Sequence, residues 1–147
     1  MDPSKWTEKT RSALNAAAES AHRAGCPQLE AVHVAIAALD DPAGVARAAV
    51  LRAAGGDDGA VQSLRRTLQR VASKLPSVRP PPVESPSASQ SFQKVMQKAS
   101  RKMEDRGDTF LAVDTLWLAC LEDPKVRCAG ARVRGATRAC PGSSLTF

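Results

Sequence analysis

Tyrosine is absent from this 147-residue chain, and aromatic residues make up only 3% of it. Sheets favour aromatic and β-branched side chains, so a sheet protein is disfavoured. Hydrophobic residues still reach 43%, so Ala, Leu and Val must fill the core, as suits close-packed helices. Cysteine is sparse as well. Cys26, Cys120, Cys128 and Cys140 form no CxxC pair and have no histidine at zinc-ligand spacing, and with no apolar leader before them they imply no oxidising compartment. No apolar run approaches the roughly 20 residues of a membrane span, because Asp114 interrupts the best candidate. A phosphate-cradling glycine loop with its lysine is also missing: Gly55-Gly56-Asp57-Asp58-Gly59 is acidic and reads as a turn and helix cap. No Ser/His/acid or Cys/His constellation stands out. Neither an enzyme nor a cofactor or metal site is expected, and a cytoplasmic location is.

Charge is unevenly distributed along the chain. Residues 1–124 carry sixteen Lys and Arg against all fifteen Asp and Glu, a net of +1, whereas residues 125–147 carry five basic residues and no acid. The pI near 9.6 therefore describes a tail, and the basic face of a nucleic-acid binder is missing.

What is present is helical periodicity. The first helix is expected from Thr7, in N-cap position, to Ala24, with Leu14, Ala17 and Ala21 on one side and Gly25 and Pro27 at its end. Short helices follow at about 31–39 and 44–54. A fourth, capped by Asp57 or Asp58, places Val61, Leu64, Leu68, Val71 and Leu75 in one stripe. Residues 76–91 hold five prolines and five serines and read as an extended connector. A fifth helix is expected at about 91–106, a sixth at about 112–121.

The two halves match each other at an offset of 82 residues. Ala17/Ala99, Gly25/Gly107, Leu29/Leu111, Ala37/Ala119, Leu39/Leu121, Asp41/Asp123 and Pro42/Pro124 are identical pairs. They fall on helix-ending glycines, core positions and the closing Asp-Pro. Such units usually cannot bury their apolar faces alone and pack on each other. An all-α, pseudo-twofold helical bundle with a groove between its halves is expected.

Asp2-Pro3-Ser4-Lys5-Trp6-Thr7-Glu8-Lys9-Thr10, Gln28 to Val34, Lys74-Leu75-Pro76-Ser77 and above all Arg106 to Asp114 resemble the double Clp N-terminal repeat of ClpB-type AAA+ disaggregases. The proline-rich connector is most similar to the plant cytosolic heat-shock class. The resemblance implies two Clp N repeats, at 1–75 and 91–124, that capture unfolded or aggregated polypeptide for ATPase modules, with no nucleic acid or membrane partner. The family's client-contact positions fall on Thr7, Asp108 and Asp114, beside which the apolar Met96 and Phe110 would take client hydrophobes; the three polar residues also suit helix caps or turns. Paired acidic positions that read phosphoarginine in the ClpC branch fall on Val32 and Asp114, and Val32 cannot serve. The rival reading is a regulatory interaction domain of a Clp-like signalling or co-repressor protein.

The second repeat looks incomplete. Val45 and Val50 map onto Arg127 and Arg132, Gly130 and Gly135 interrupt the segment, and the stripe from Val61 would map to 143 and beyond. Residues 125–147 are expected to be an irregular basic tail. The faces bearing Val95, Met103, Leu116, Trp117 and Cys120 are expected to be partly uncovered.

Overall fold

The computed structural model describes residues 2–133. Seven α-helices account for most of them: α1 Glu8–Arg23, α2 Ala31–Asp40, α3 Val45–Ala53, α4 Asp58–Ser73, α5 Gln90–Asp105, α6 Val113–Leu121 and α7 Pro124–Val133. Two-residue strands β1 (Gln28–Leu29) and β2 (Ser87–Ala88) pair in parallel. The all-helical expectation holds, and the first six helices lie within a residue or two of their expected bounds.

Local chemistry explains the helix starts. The Thr7 hydroxyl accepts the Thr10 N–H at 3.3 Å, Asp57 accepts from Gly59 N–H at 2.8 Å, and Ser89 accepts from Phe92 N–H at 3.1 Å. Each side-chain oxygen satisfies a donor that has no partner inside its helix. α1 buries Thr10, Leu14, Ala17 and Ala21; α5 buries Phe92, Val95, Met96, Ala99 and Met103. α2 is buried along nearly its whole length and packs against α1, α4 and α6. Its small side chains permit that central position.

The 82-residue offset is visible in three dimensions. It carries the bounds of α1 onto those of α5 and the start of α2 onto that of α6. Gly25 and Gly107 both have φ of 74°, the left-handed geometry that ends a helix without a Cβ penalty. The offset also exchanges two long-range pairings. Leu29 pairs with Ala88, and Leu111 bridges to Trp6. The Ser89 N–H reaches Leu29 O and the Thr7 N–H reaches Leu111 O, both at 3.1 Å. Each half thus ties the start of the other half's first helix to its own loop.

Two expectations are corrected. The stretch from Pro124 to Val133 is helix, not irregular tail, and it is integrated: Val126 and Ala129 are buried. The Asp123-Pro124 pair, which looks like a terminator, starts this helix. The buried Asp123 carboxylate accepts the Lys125 N–H at 3.0 Å and the Val126 N–H at 3.4 Å. Proline at the first helical position loses no hydrogen bond. One interior glycine, Gly130, lowers helix propensity by only about 1 kcal/mol, which tertiary packing of α7 on α2, α4 and α6 outweighs. Residues 134–147 lie outside the described residues.

The second correction follows from the first. Val95, Met103, Leu116, Trp117 and Cys120 are all buried. α4 does not serve the first half alone; Val61, Leu64 and Leu68 are buried in a helix that packs against both α2 and α7. The second half borrows its cover from the first.

Candidate functional site

The structure gathers several of the sequence-derived site residues at one corner, where the first residues of the chain meet the loop before α6. Leu111 anchors it. Its N–H donates to Lys5 O at 2.7 Å, and its carbonyl accepts both the Thr7 N–H at 3.1 Å and the buried Thr10 hydroxyl at 2.8 Å. Thr7 is therefore already engaged: its hydroxyl caps α1 and lies 2.8 Å from Thr10 Oγ1. Its role at this corner is to hold position.

Phe110 precedes this anchor and stays 55% exposed. Water exposure of a large apolar ring on a backbone pinned on its far side is unfavourable, and it is the kind of feature that marks contact surfaces. Asp114 sits in the first turn of α6, where a carboxylate complements the helix dipole. It pairs with Arg106 at 3.1 Å, and the same guanidinium lies 3.3 Å from the Thr115 hydroxyl. Asp108 is exposed in the turn after α5, its N–H bonded to Met103 O at 3.0 Å. Met96 does not belong to this group. It is 2% exposed, in the core face of α5, because the 3.6-residue helical period places it with Phe92, Val95 and Ala99. Val32 is likewise wholly buried.

A cavity of about 300 Å³ opens beside the corner. Ala13 and Ala16 of α1, Ala37 and Ala38 of α2 and Val113 of α6 form its apolar walls, with Lys9 and Asp41 at the edge. Small side chains leave a shallow slot that fits an extended chain better than a compact ligand.

Sequence reading missed a polar cluster around the buried His33. The Glu30 N–H donates to His33 Nδ1 at 3.1 Å. Glu30 in turn accepts the Ser91 hydroxyl at 2.5 Å and pairs with Lys125 at 3.2 Å, joining α2 to the starts of α5 and α7. Burial lowers the His33 pKa below its ordinary 6.5, with Glu30 opposing and Lys125 adding to the shift. Burial raises the Glu30 pKa, yet Ser91 and Lys125 outweigh it and leave it below the ordinary value. The signal was present as Glu30 three residues before His33, but its partners lie 61 and 95 residues away. No group of three or more His, Cys, Asp or Glu side chains among the described residues could hold a metal ion. No helix among them is long and apolar enough to cross a membrane.

Comparison with known proteins gives a consistent picture. The family profile described as "Clp repeat (R) N-terminal domain" matches residues 5–131. Heat shock protein hsp98 of Neurospora crassa is 31% identical over 83% of this chain, and the chaperone protein ClpB of Rhodopseudomonas palustris is 26% identical over 81%. The chain spans 14% and 13% of their respective lengths. Among solved structures, the Hsp104 N-terminal domain from Candida albicans aligns with a TM-score of 0.69 at 24% identity, covering 91% of this chain and 94% of that one. A structure from preliminary investigations of a malarial protein secretion system aligns with a TM-score of 0.73 at 16% identity, covering 88% and 85%.

Proposed function

Because this chain belongs to the Clp repeat (R) N-terminal domain family, we propose that it is the noncatalytic client-binding module of a ClpB-type chaperone, built from two copies of the repeat. It captures unfolded or aggregated polypeptide, which ATPase modules of such a chaperone then process. The contact surface is the Phe110 corner with the adjoining slot. Phe110 takes a client hydrophobe, the alanine walls and Val113 accept extended chain, and Asp108 and Asp114 accept client backbone N–H groups. Asp114 does so in competition with Arg106.

The observation that carries this reading is the exposure of Phe110 on a backbone fixed through Leu111 to both Lys5 and Thr7. An aromatic presented from a fixed backbone loses little further backbone entropy on binding. The relatives are named as heat shock and chaperone proteins, which supports the same reading. Removal of the ring from a contact forfeits about 1–2 kcal/mol, or roughly 5- to 30-fold in affinity. Binding of a permanently unfolded client, such as reduced and carboxymethylated lactalbumin, should therefore weaken by that amount in a Phe110→Ala, Asp114→Ala double variant. Val83→Ala, at a fully exposed connector residue, should change nothing. Unchanged affinity in the double variant, with native helicity, would remove the assignment to this corner.

A further inference from the structure

A separate cavity, of about 340 Å³, lies where the end of α1, α2 and the end of α4 meet the connector. Ala24, Ile36, Ala72 and Leu75 give it apolar walls, and Ser77 and Arg79 of the connector close one side. The connector is fixed there by the Val78 N–H, which donates to Gly25 O at 2.7 Å.

His33 is part of the wall and is itself only 3% exposed. Its Nδ1 accepts the Glu30 N–H, so the proton of the neutral ring is on Nε2. That Nε2–H is buried and has no hydrogen-bond partner among the described residues, and a buried donor is costly to leave unpaired. The 82-residue offset carries His33 onto Thr115 and Ala24 onto Arg106. In the second half the Arg106 guanidinium reaches to 3.3 Å from the buried Thr115 hydroxyl. In the first half alanine leaves that space open, and the buried polar atom is a donor, so only an acceptor can satisfy it. The cavity is chosen for an anion in other respects too. No acid lines it, and its one charged residue, Arg79, makes no side-chain hydrogen bond or ion pair among the described residues. Ser20, Gln69 and Ser77 add further donors.

We propose that this cavity binds an organic carboxylate with a short aliphatic chain. One carboxylate oxygen accepts from His33 Nε2–H, the other meets Arg79, and the aliphatic part packs on Ile36, Ala72 and Leu75. Nε2 is shielded from solvent, so entry requires Gln69 and Arg79 to swing aside; both are exposed and free to change rotamer. The site is separate from the Phe110 corner and does not rest on client capture there.

The probe is isovalerate, titrated into the isotope-labelled full chain and followed by NMR. The His33 imidazole N–H and the Ile36 and Leu75 methyl signals should shift together and saturably, with half-saturation on the order of 1 mM for a ligand of this size. Arg79→Gln, at an exposed position, should weaken binding roughly fivefold or more by loss of a charge-assisted contact. His33→Asn keeps an acceptor for the Glu30 N–H but has no Nε2, and it should weaken binding at least as much. Ala24→Met, which puts a long side chain where the offset places Arg106, should abolish it. Circular dichroism checks the folding of all three variants. Isovaleramide, which keeps the carbonyl and loses the charge, should bind more weakly than isovalerate. Shifts that stay linear to about 20 mM overturn the proposal, as do undiminished binding by Ala24→Met and isovaleramide binding as tightly as isovalerate. The tripeptide Gly-Gly-Leu separates two sources of the carboxylate. Binding at least as tight as that of isovalerate assigns the cavity to polypeptide C-termini, and weaker or absent binding assigns it to free acids; both outcomes support a carboxylate site.

Discussion

Alanine at Gly25 and alanine at Gly107 should have different consequences, although the two glycines occupy equivalent places. Both end a long helix with φ of 74°, so both substitutions incur the same left-handed backbone penalty, about 1–2 kcal/mol for an L-residue. Both also gain the same relief from restricting the unfolded chain, about 0.4–1 kcal/mol. These contributions cancel in the difference. What remains is tertiary. A Cβ at Gly107 meets nothing within 4 Å, whereas at Gly25 it would stand 2.4 Å from the Val78 carbonyl oxygen. Ordinary contact begins near 3.4 Å, so the connector must retreat by about 1 Å. That movement stretches the Val78 N–H bond to Gly25 O, now 2.7 Å, and such a bond is worth about 0.5–1.5 kcal/mol net. Backbone carbonyls cannot rotate away as side chains do. Gly25→Ala should therefore be destabilised by about 1–3 kcal/mol more than Gly107→Ala. Thermal unfolding followed at 222 nm should show a difference of roughly 3–10 °C for a domain of this size. Asparagine, which tolerates left-handed backbone, should largely restore position 107 and fail at position 25. Equal losses at the two sites, within about 0.3 kcal/mol, would show that the connector does not rest on Gly25, and the argument would fail.

Loss of the α7 cap in Asp123→Ala should remove about 0.5–2 kcal/mol, read as faster amide exchange at residues 125–130 with little change in α1. Gly130→Ala should raise stability by up to about 1 kcal/mol, since the added methyl meets no neighbour and alanine is the better helix former; a lower urea midpoint would contradict the open space at that site. His33, whose pKa is lowered by burial, makes stability fall as pH drops below 6.5, because the unfolded chain takes up a proton there that the folded chain resists. The slope approaches about 1.4 kcal/mol per pH unit until the folded value is reached. Glu30, also lowered, contributes only at more acidic pH, once the pH falls below the ordinary 4.5. Urea midpoints measured between pH 7 and 5 should flatten in His33→Asn, and an unchanged slope would place the sensitivity elsewhere.

Periodicity and capping are local, and what is local was legible. The stripes Leu14–Ala17–Ala21 and Val61–Leu64–Leu68, the caps Thr7 and Asp57, and the glycine stops each need only neighbours within one or two turns, so six helices and their internal repeat could be read from residue order. Asp123-Pro124 shows the limit of that reading. The same pair terminates or initiates a helix depending on what the following residues can pack against, and Val126 and Ala129 find their cover on α4, more than fifty residues earlier. Burial is likewise not a property of the residue. Met96 and Phe110 are both apolar and both candidate contact residues by sequence, but one faces the core and the other water, because Leu111 is tied to Lys5 and Thr7 across the molecule. The symmetry of the sequence fails in the same way at Gly25 and Gly107. The connector's prolines and serines specify an extended chain, but only the fold lays that chain across one glycine and leaves its equivalent open. Chain order determined the first six helices and where they stop; long-range contact decided the seventh and which faces all of them hide, because burial depends on residues that are close in space and distant in sequence.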